Sequence, residues 1–355
     1  NNTEDFFSSE EFFFSFRQKL LFDEYAATKA KKKSYNFLSA CMEDFTTNYF
    51  LEMLRMYSEL VNRKNLRMAD FDEKSMQVFL NYFLVSQKNN KLSPTLLIYY
   101  QILLFLIDET NKKGEKAYST YKNYLQKHLQ QIPLKTAREI CLFGQNFCVK
   151  NINLNKHLYL NELLELYNLM LKHNVMYDGQ YLTEWTFKNY VTVALRLKAF
   201  KQAENFIETY HSKLSPDVAF NAYHYNLAAL YYEQNNFDKA LDELNEIHFS
   251  DTIYYLDARS ILLKIYFTQE NFEALASLYH SVRVYLLRNK QLSRKLAERY
   301  RNIFLYTYKL SLLINKKEYI AAKEYKVKYE QLGKKINQNT IANKPWLLKQ
   351  FEDAA

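Results

Sequence analysis

Two segments in the second half of this chain carry the same pattern at a distance of 35 residues. One segment is 225–237, the other is 260–272, and they match outright at four places. The matched pairs are Leu227 with Leu262, Tyr231 with Tyr266, Asn236 with Asn271, and Phe237 with Phe272. Self-similarity at a period of roughly 20 to 50 residues is typical of repeat proteins, in which each repeat is one supersecondary unit. We therefore expect this part of the chain to be an array of similar units.

The same pattern extends to four copies. A shift of 37 residues upstream aligns Tyr190, Ala194, Phe200 and Ala203 with Leu227, Tyr231, Phe237 and Ala240. A shift of 47 residues downstream of the second copy aligns Leu313 and Tyr319 with Tyr266 and Phe272. The alignments predict one structural unit repeated four times between residues 178 and 335.

Each copy predicts two helices joined by a tight polar corner. Leu227, Ala228 and Tyr231 fall on one face of a helix, and the small Ala228 allows a partner helix to approach closely. Asn236 stands where a helix N-cap is expected, directly before Phe237. The unit is therefore a helical hairpin.

The scarcity of glycine and proline favours the same fold class. Only 4 Gly and 4 Pro occur in 355 residues, whereas the turns of all-β folds need such residues every 8 to 12 positions or so. The four glycines also lie far apart, which excludes glycine-rich phosphate-binding loops. We expect an all-α fold.

The second half of the chain resembles the tetratricopeptide repeat (TPR) family. The residues that carry the family's small and aromatic pattern are Leu227, Ala228, Tyr231, Phe237 and Ala240, and in the preceding copy Ala194, Phe200 and Ala203. The chain departs from the pattern at Leu263, where a small residue is expected, and in its spacings of 35, 37 and 47, since the family repeats about every 34 residues. The resemblance implies a right-handed α-α superhelix, a solenoid of TPR-like helical hairpins.

The first half of the chain also alternates apolar-periodic segments with polar joints, but it lacks the motif of the repeat. Apolar-periodic segments occur at 10–38, 42–61, 71–85, 94–108, 116–129, 134–149 and 157–172. We interpret residues 1–175 as degenerate hairpins that form the N-terminal half of the solenoid; the alternative is a separate helical bundle. The TPR-like repeats then occupy 176–335.

Residues 336–355 form a separate C-terminal segment. Gly333 is predicted to end the preceding helix, and Pro345–Phe351 predict a short apolar helix that buries Trp346. One interpretation is that this helix caps the last hairpin, because an uncovered terminal repeat would expose its apolar face. The other is that it docks a second copy of the chain, as a homodimer.

Signatures of catalysis are absent from the sequence. The seven histidines include no pair three or four residues apart, so helix-based metal ligation lacks its usual geometry. Cys141 and Cys148 are not a C-x-x-C pair, and adjacent acidic pairs such as Glu10 and Glu11 are more typical of exposed first-turn residues than of an acid–base couple. We expect no enzyme activity, no metal site and no cofactor.

A binding surface is the stronger hypothesis. In a solenoid the first helix of each hairpin lines the inner, concave wall. Carried over copy by copy, that wall is predicted to consist of Trp185, Lys188, Thr192 and Leu195, then Ala222, Tyr225, Ala229 and Tyr232, then Asp257, Ser260, Lys264 and Phe267. Aromatic side chains with two lysines suit an extended peptide that carries a carboxylate. We predict a non-catalytic protein–protein interaction scaffold whose peptide-binding residues are Trp185, Lys188, Tyr225, Tyr232, Lys264 and Phe267.

The alternative function is association with nucleic acid through the C-terminal region. Residues 281–355 hold 17 Lys and Arg against 6 Asp and Glu, a net charge of +11, whereas the chain as a whole is +9. A basic stripe could run along Arg294, Lys295, Arg299 and Arg301 and neutralise phosphates. The competing interpretation of this excess is a solvated surface without a partner.

The sequence gives only indirect indications of where in the cell the protein is located. The longest apolar run, 96–107, is too short to span a bilayer, which needs about 20 residues. Three cysteines give no disulfide framework and suit a reducing compartment. We therefore expect a cytoplasmic protein. The sequence starts at Asn1 without a methionine, which is compatible with a longer gene product and with a removed signal segment.

Overall fold

The chain is all-α, as the sequence predicts. The computed structural model describes residues 8–28, 37–65, 71–86, 93–108, 112–247, 252–289 and 292–354. In these ranges it has sixteen α-helices, and β-structure is limited there to one pair of two-residue strands and a single bridge. The chain divides into two compact units, residues 1–177 and 178–355. Asn1, the residue at which the sequence starts, lies outside the described residues.

The described part of unit 1 is built from seven helices. They are α1 (Ser9–Thr28), α2 (Phe37–Asn65), α3 (Glu73–Ser86), α4 (Pro94–Ile107), α5 (Lys112–His128), α6 (Leu134–Asn153) and α7 (Leu158–Lys172). The predicted segment 10–38 covers α1 and the start of α2, and residues 29–36 between these helices lie outside the described residues.

Aromatic side chains fill the core of unit 1. The rings of Tyr118 and Phe147 stack with centroids 4.9 Å apart, and Phe105 meets Phe147 at 4.8 Å. Gly144 in α6 makes room for Tyr121, because a Cβ there would lie 2.5 Å from the phenol oxygen. The glycine is therefore needed for close packing rather than for a turn.

Unit 2 contains the repeat. Its helices are α8 (Glu184–Arg196), α9 (Phe200–Tyr210), α10 (Pro216–Glu233), α11 (Phe237–Glu246), α12 (Thr252–Thr268), α13 (Phe272–Arg288), α14 (Arg294–Asn315), α15 (Ala322–Gln338) and α16 (Lys344–Asp353). The paired strands, β1 (Tyr177–Asp178) and β2 (Tyr181–Leu182), precede them in the chain. Gly179 adopts a φ of 60° in the turn between these strands, a conformation that glycine accepts without steric cost.

The corners that follow α8, α10 and α12 share one backbone geometry at the spacing of the sequence repeat. Lys198, Asn235 and Glu270 have φ values of 56°, 58° and 55° and are 37 and 35 residues apart. The next residue in each corner donates its N–H to the carbonyl five residues earlier, and these pairs are Ala199 to Ala194, Asn236 to Tyr231 and Asn271 to Tyr266, all at 2.9 Å. A left-handed residue with this bond is a common way to end a helix. The corners of the first three copies are therefore structurally equivalent, and the same geometry recurs at Asn155 and Asn174 in unit 1.

The second helix of each of these copies begins at an equivalent phenylalanine. The side chains of Asn236 and Asn271 accept hydrogen bonds from the third residue beyond them, at 3.4 Å and 3.2 Å, which confirms their predicted capping role. One turn into each second helix, Ala203, Ala240 and Leu275 are fully buried. In this part of the chain the fold is a helical repeat.

The fourth copy does not follow the pattern. After α14, Lys316 has a φ of −95° and leads into a short 3-10 turn, Lys317–Tyr319, so the left-handed corner is missing. Tyr319 is 82% exposed, and its alignment with the packing position of Phe272 is wrong.

Gly333 does not end a helix, which is a second correction. It lies inside α15, where a Cβ would come within 2.8 Å of the ring of Phe351. That ring stacks on Tyr329 with centroids 4.0 Å apart. The glycine therefore lets α16 pack closely against α15. Leu347 in α16 is fully buried, whereas Trp346 is only half-buried.

Candidate functional site: a cleft lined by the first helices of the repeat

Three successive first helices of the repeat line one cleft in unit 2. Its volume is about 320 Å³. The lining residues are Lys188, Thr192, Leu195 and Arg196 of α8, Tyr225, Ala229, Tyr232 and Glu233 of α10, Asp257, Ser260, Ile261 and Lys264 of α12, and Asn343 just before α16. Within each helix these residues recur every three to four positions, with one adjacent pair in each, so they form one face.

Lys188 is held at one end of the cleft by an ion pair and by aromatic rings. Its ammonium group pairs with the carboxylate of Asp257, and the two side chains are only 13% and 18% exposed. The same nitrogen lies 4.8 Å from the ring centroid of Tyr225, 5.2 Å from that of Tyr254 and 5.5 Å from that of Trp185. Rings at such distances stabilise a cation through their π electrons. The charge of Lys188 is therefore compensated within the unit.

Asp257 is also held from a second side. The hydroxyl of Tyr300 in α14 donates to its other carboxylate oxygen, Oδ1, at 2.5 Å. Burial and the nearby Asp257 charge raise the pKa of Tyr225 well above its ordinary value. The phenol of Tyr225 is therefore neutral at physiological pH and offers the cleft a ring face rather than a charge.

Lys264 has a different environment in the middle of the cleft. Its ammonium nitrogen lies 5.4 Å from the ring centroid of Tyr232 and 5.7 Å from that of Trp346. Among the described residues, no carboxylate lies within ion-pairing distance of it. Burial lowers the pKa of Lys264, and the charges of Glu233 and Asp257 partly oppose that shift. An ammonium group in such a place favours an anionic or carbonyl oxygen from a ligand.

The six predicted site residues lie in or next to this cleft. Lys188, Tyr225, Tyr232 and Lys264 line it. Trp185 contacts Lys188 and is 44% exposed. Phe267 is only 8% exposed and makes a T-shaped contact with Trp346, with ring centroids 5.7 Å apart. Phe267 therefore belongs to the core and is not one of the residues that line the cleft.

Several residues at the cleft belong neither to the six predicted site residues nor to the predicted wall, among them Tyr254, Trp346 and Asn343. Tyr254 lies one turn before Asp257 on the same face of α12, so its helical spacing could have indicated it. Trp346 and Asn343 come from the C-terminal segment, about 80 residues beyond α12 in the sequence, and no periodicity connects them to the repeat. Their place in the cleft follows only from tertiary packing.

The polar side chains that line the cleft are hydroxyl, amide and charged groups. The Ser260 hydroxyl donates to the Leu256 carbonyl at 2.7 Å, and no histidine lines the cleft. In the described portion of the chain, no three His, Cys, Asp or Glu side chains are grouped so that they could hold a metal ion. The cleft therefore offers a ligand aromatic surface, hydroxyl oxygens, the Glu233 carboxylate, the Arg196 guanidinium and the Lys264 ammonium group.

The three cysteines are buried free thiols in unit 1, as the sequence predicts. Burial raises the pKa of Cys148 to about 12, and its sulfur lies 3.0 Å from the Tyr118 hydroxyl oxygen. A thiol with a raised pKa and no access to solvent is a poor nucleophile.

The basic C-terminal residues occupy an exposed position in unit 2. Arg294, Lys295, Arg299 and Arg301 lie on the first turns of α14, and each is exposed. No helix among the described residues is long and apolar enough to cross a membrane. In comparisons with known proteins, no protein-family model, curated protein or solved structure matches the chain.

Proposed function

We propose that this chain is a non-catalytic interaction scaffold that binds a peptide segment of a partner protein in the cleft of α8, α10 and α12. In this proposal the hairpins of unit 2 are TPR-like and stack as a right-handed solenoid, with the cleft on its concave wall. The observation that carries the proposal is the convergence of equivalent faces from three first helices on one cleft. Repeat proteins commonly bind their ligands along such a surface.

The chemistry of the cleft supports a peptide as the ligand. Tyr232 and the ring of Tyr225 offer rigid apolar area at low cost in conformational entropy. Lys264 supplies a positive charge for a carboxylate or a backbone carbonyl. Lys188 is neutralised by Asp257, so its role is to hold the aromatic rings in place rather than to anchor the ligand.

A matched pair of substitutions tests this proposal. Lys264→Met removes the ammonium group but keeps the length and apolar character of the side chain. Lys239→Met is the control, because the ammonium group of Lys239 also lies over a tyrosine ring, that of Tyr231 at 5.3 Å, but outside the cleft. Peptides would be selected from a displayed library against the intact chain, and their affinities for the three proteins would be measured by fluorescence anisotropy.

We expect Lys264→Met to weaken binding by about tenfold, the loss of one charge-assisted hydrogen bond, and Lys239→Met to leave it unchanged. Ala229→Trp, which fills the cleft, should abolish binding, with circular dichroism as the check on folding. Selected peptides that bind all three variants as tightly as the unmodified chain would refute the proposal.

A further inference from the structure

A second groove lies between α14 and α15 and is formed by different residues from those of the cleft. Its volume is about 270 Å³. The lining residues are Lys309, Leu312, Leu313 and Lys316 on one side and Lys328, Gln331, Leu332 and Lys335 on the other. We call this site the lysine groove. All eight lie within 281–355, where the net charge is +11.

Both walls of the lysine groove have the same spacing. In each wall two lysines are seven residues apart, and the residues between them at the third and fourth positions face the groove. Seven residues correspond to about two helical turns, or 10.5 Å. The result is an apolar centre with a pair of ammonium groups on each wall.

The apolar centre is partly open to solvent. Leu313 and Leu332 are 8% and 6% exposed and form the floor, whereas Leu312 is 39% exposed. Exposed leucine at the centre of a charged rim is the arrangement found in protein interfaces, which have an apolar core and a polar border.

The lysines of the groove lack acidic partners with one exception. Lys328 pairs with Glu324 on its own helix at 2.5 Å, and both side chains are about half exposed. No carboxylate of the described residues lies within ion-pairing distance of Lys309, Lys316 or Lys335, and no acidic residue lines the groove. The positive charge is therefore available to a partner.

We infer that the lysine groove binds an acidic amphipathic helix of a partner protein. Its leucines would lie on Leu312, Leu313 and Leu332, and glutamate or aspartate residues on either side would pair with the lysines. The walls are helices whose backbone groups are already bonded, so an extended segment would find no backbone partners there, whereas a helix satisfies its own.

The lining of the groove favours a protein over a nucleic acid. Sites for single-stranded nucleic acid combine positive charge with aromatic rings on which bases stack, and no aromatic residue lines this groove. Leucines at its centre would face sugar and phosphate without compensation.

A designed peptide tests the inference with the intact chain. The probe is a fluorescent peptide of about 18 residues, or five helical turns, with one stripe of leucines and glutamates on both sides of it. Control probes are the same peptide with lysine in place of glutamate, a single-stranded oligonucleotide and vesicles with anionic headgroups. Lys309→Glu with Lys335→Glu reverses charge in the groove. Arg294→Glu with Lys295→Glu makes the same change in net charge elsewhere on α14.

We expect the groove variant to weaken binding of the acidic peptide at least about tenfold and the control variant to change it by less than about twofold. Leu312→Asp, at an exposed position that the fold tolerates, should also weaken it about tenfold. A carbodiimide should cross-link the peptide to lysines of the groove and not to Lys295.

Three results would overturn the inference. The first is absence of binding to the unmodified chain. The second is an equal loss of peptide affinity in the groove and control variants, which would show that the peptide responds only to the overall positive charge of the region. The third is a groove variant that weakens binding of the oligonucleotide or the vesicles but does not change binding of the acidic peptide.

Discussion

The ammonium group of Lys188 contacts one carboxylate and three aromatic rings, and both charges of its ion pair are largely withdrawn from water. Removing one member of a buried pair leaves the other charge without compensation, which costs more than the pair itself contributes. We expect Lys188→Met to lower the free energy of unfolding by about 2 to 4 kcal/mol, as measured by urea denaturation followed by tryptophan fluorescence.

A double-mutant cycle separates this cause from a simple loss of packing. Asp257→Asn should also destabilise the chain, because the charge of Lys188 then lacks its partner. The double variant should be less destabilised than the sum of the two single variants, since it leaves neither charge alone. Strictly additive effects would show that the two side chains act independently.

Lys264 predicts a dependence of stability on pH. Burial lowers its pKa below the ordinary value of 10.5, so between the two pKa values the folded chain binds fewer protons than the unfolded chain. Stability contributed by this group therefore rises with pH across that interval. The unfolding free energy of Lys264→Met minus that of the unmodified chain should be larger at pH 7 than at pH 10. A difference that is constant or grows with pH would contradict the lowered pKa.

At the level of elements, Gly333 is a glycine inside α15 that leaves room for a side chain of the neighbouring helix α16. Alanine in place of glycine inside a helix normally stabilises it by about 1 kcal/mol. Here a Cβ would meet the Phe351 ring at 2.8 Å, so we expect Gly333→Ala to destabilise unit 2 by about 1 to 3 kcal/mol. Adding Phe351→Leu, which shortens the obstructing side chain, should recover part of the loss. A stabilised single variant would show that α16 moves aside freely.

The helical elements and three of the repeat corners could be predicted from the sequence because their signals are local. Asn236 and Asn271 stand directly before an apolar face, and that short-range pattern is enough to indicate a cap. The fourth copy could not be predicted, since two matched residues separated by a shift of 47 do not define a corner, and Tyr319 became exposed. The prediction that Gly333 ends a helix failed for a related reason. The ring that requires a glycine there belongs to Phe351, which lies 18 residues away in the sequence.

For the molecule as a whole, local sequence signals predict one part of the cleft, whereas the rest depends on contacts between residues far apart in the sequence. Helical spacing alone places Lys188, Tyr225 and Lys264 on corresponding faces. It does not show that Lys188 is neutralised by Asp257 on another helix, nor that Trp346 lies over Lys264 from the other end of unit 2. These contacts decide which lysine is available to a ligand, and they depend on how helices far apart in sequence pack together.

The two units carry separate natural reporters of unfolding. Both tryptophans, Trp185 and Trp346, lie in unit 2, and all three cysteines lie in unit 1. Cys141 and Cys148 are buried thiols with raised pKa values, so a disulfide reagent will label them only when unit 1 opens. Because each unit has its own core, we expect each to unfold as its own cooperative transition.

Two glycine variants test this independence in a matched way. Gly333→Ala in unit 2 should lower the urea midpoint of tryptophan fluorescence and leave that of thiol labelling unchanged. Gly144→Ala in unit 1, where a Cβ would lie 2.5 Å from the Tyr121 hydroxyl oxygen, should do the reverse. If either variant shifts both midpoints equally, the chain unfolds as one cooperative body, and destabilising one unit would then also open the other.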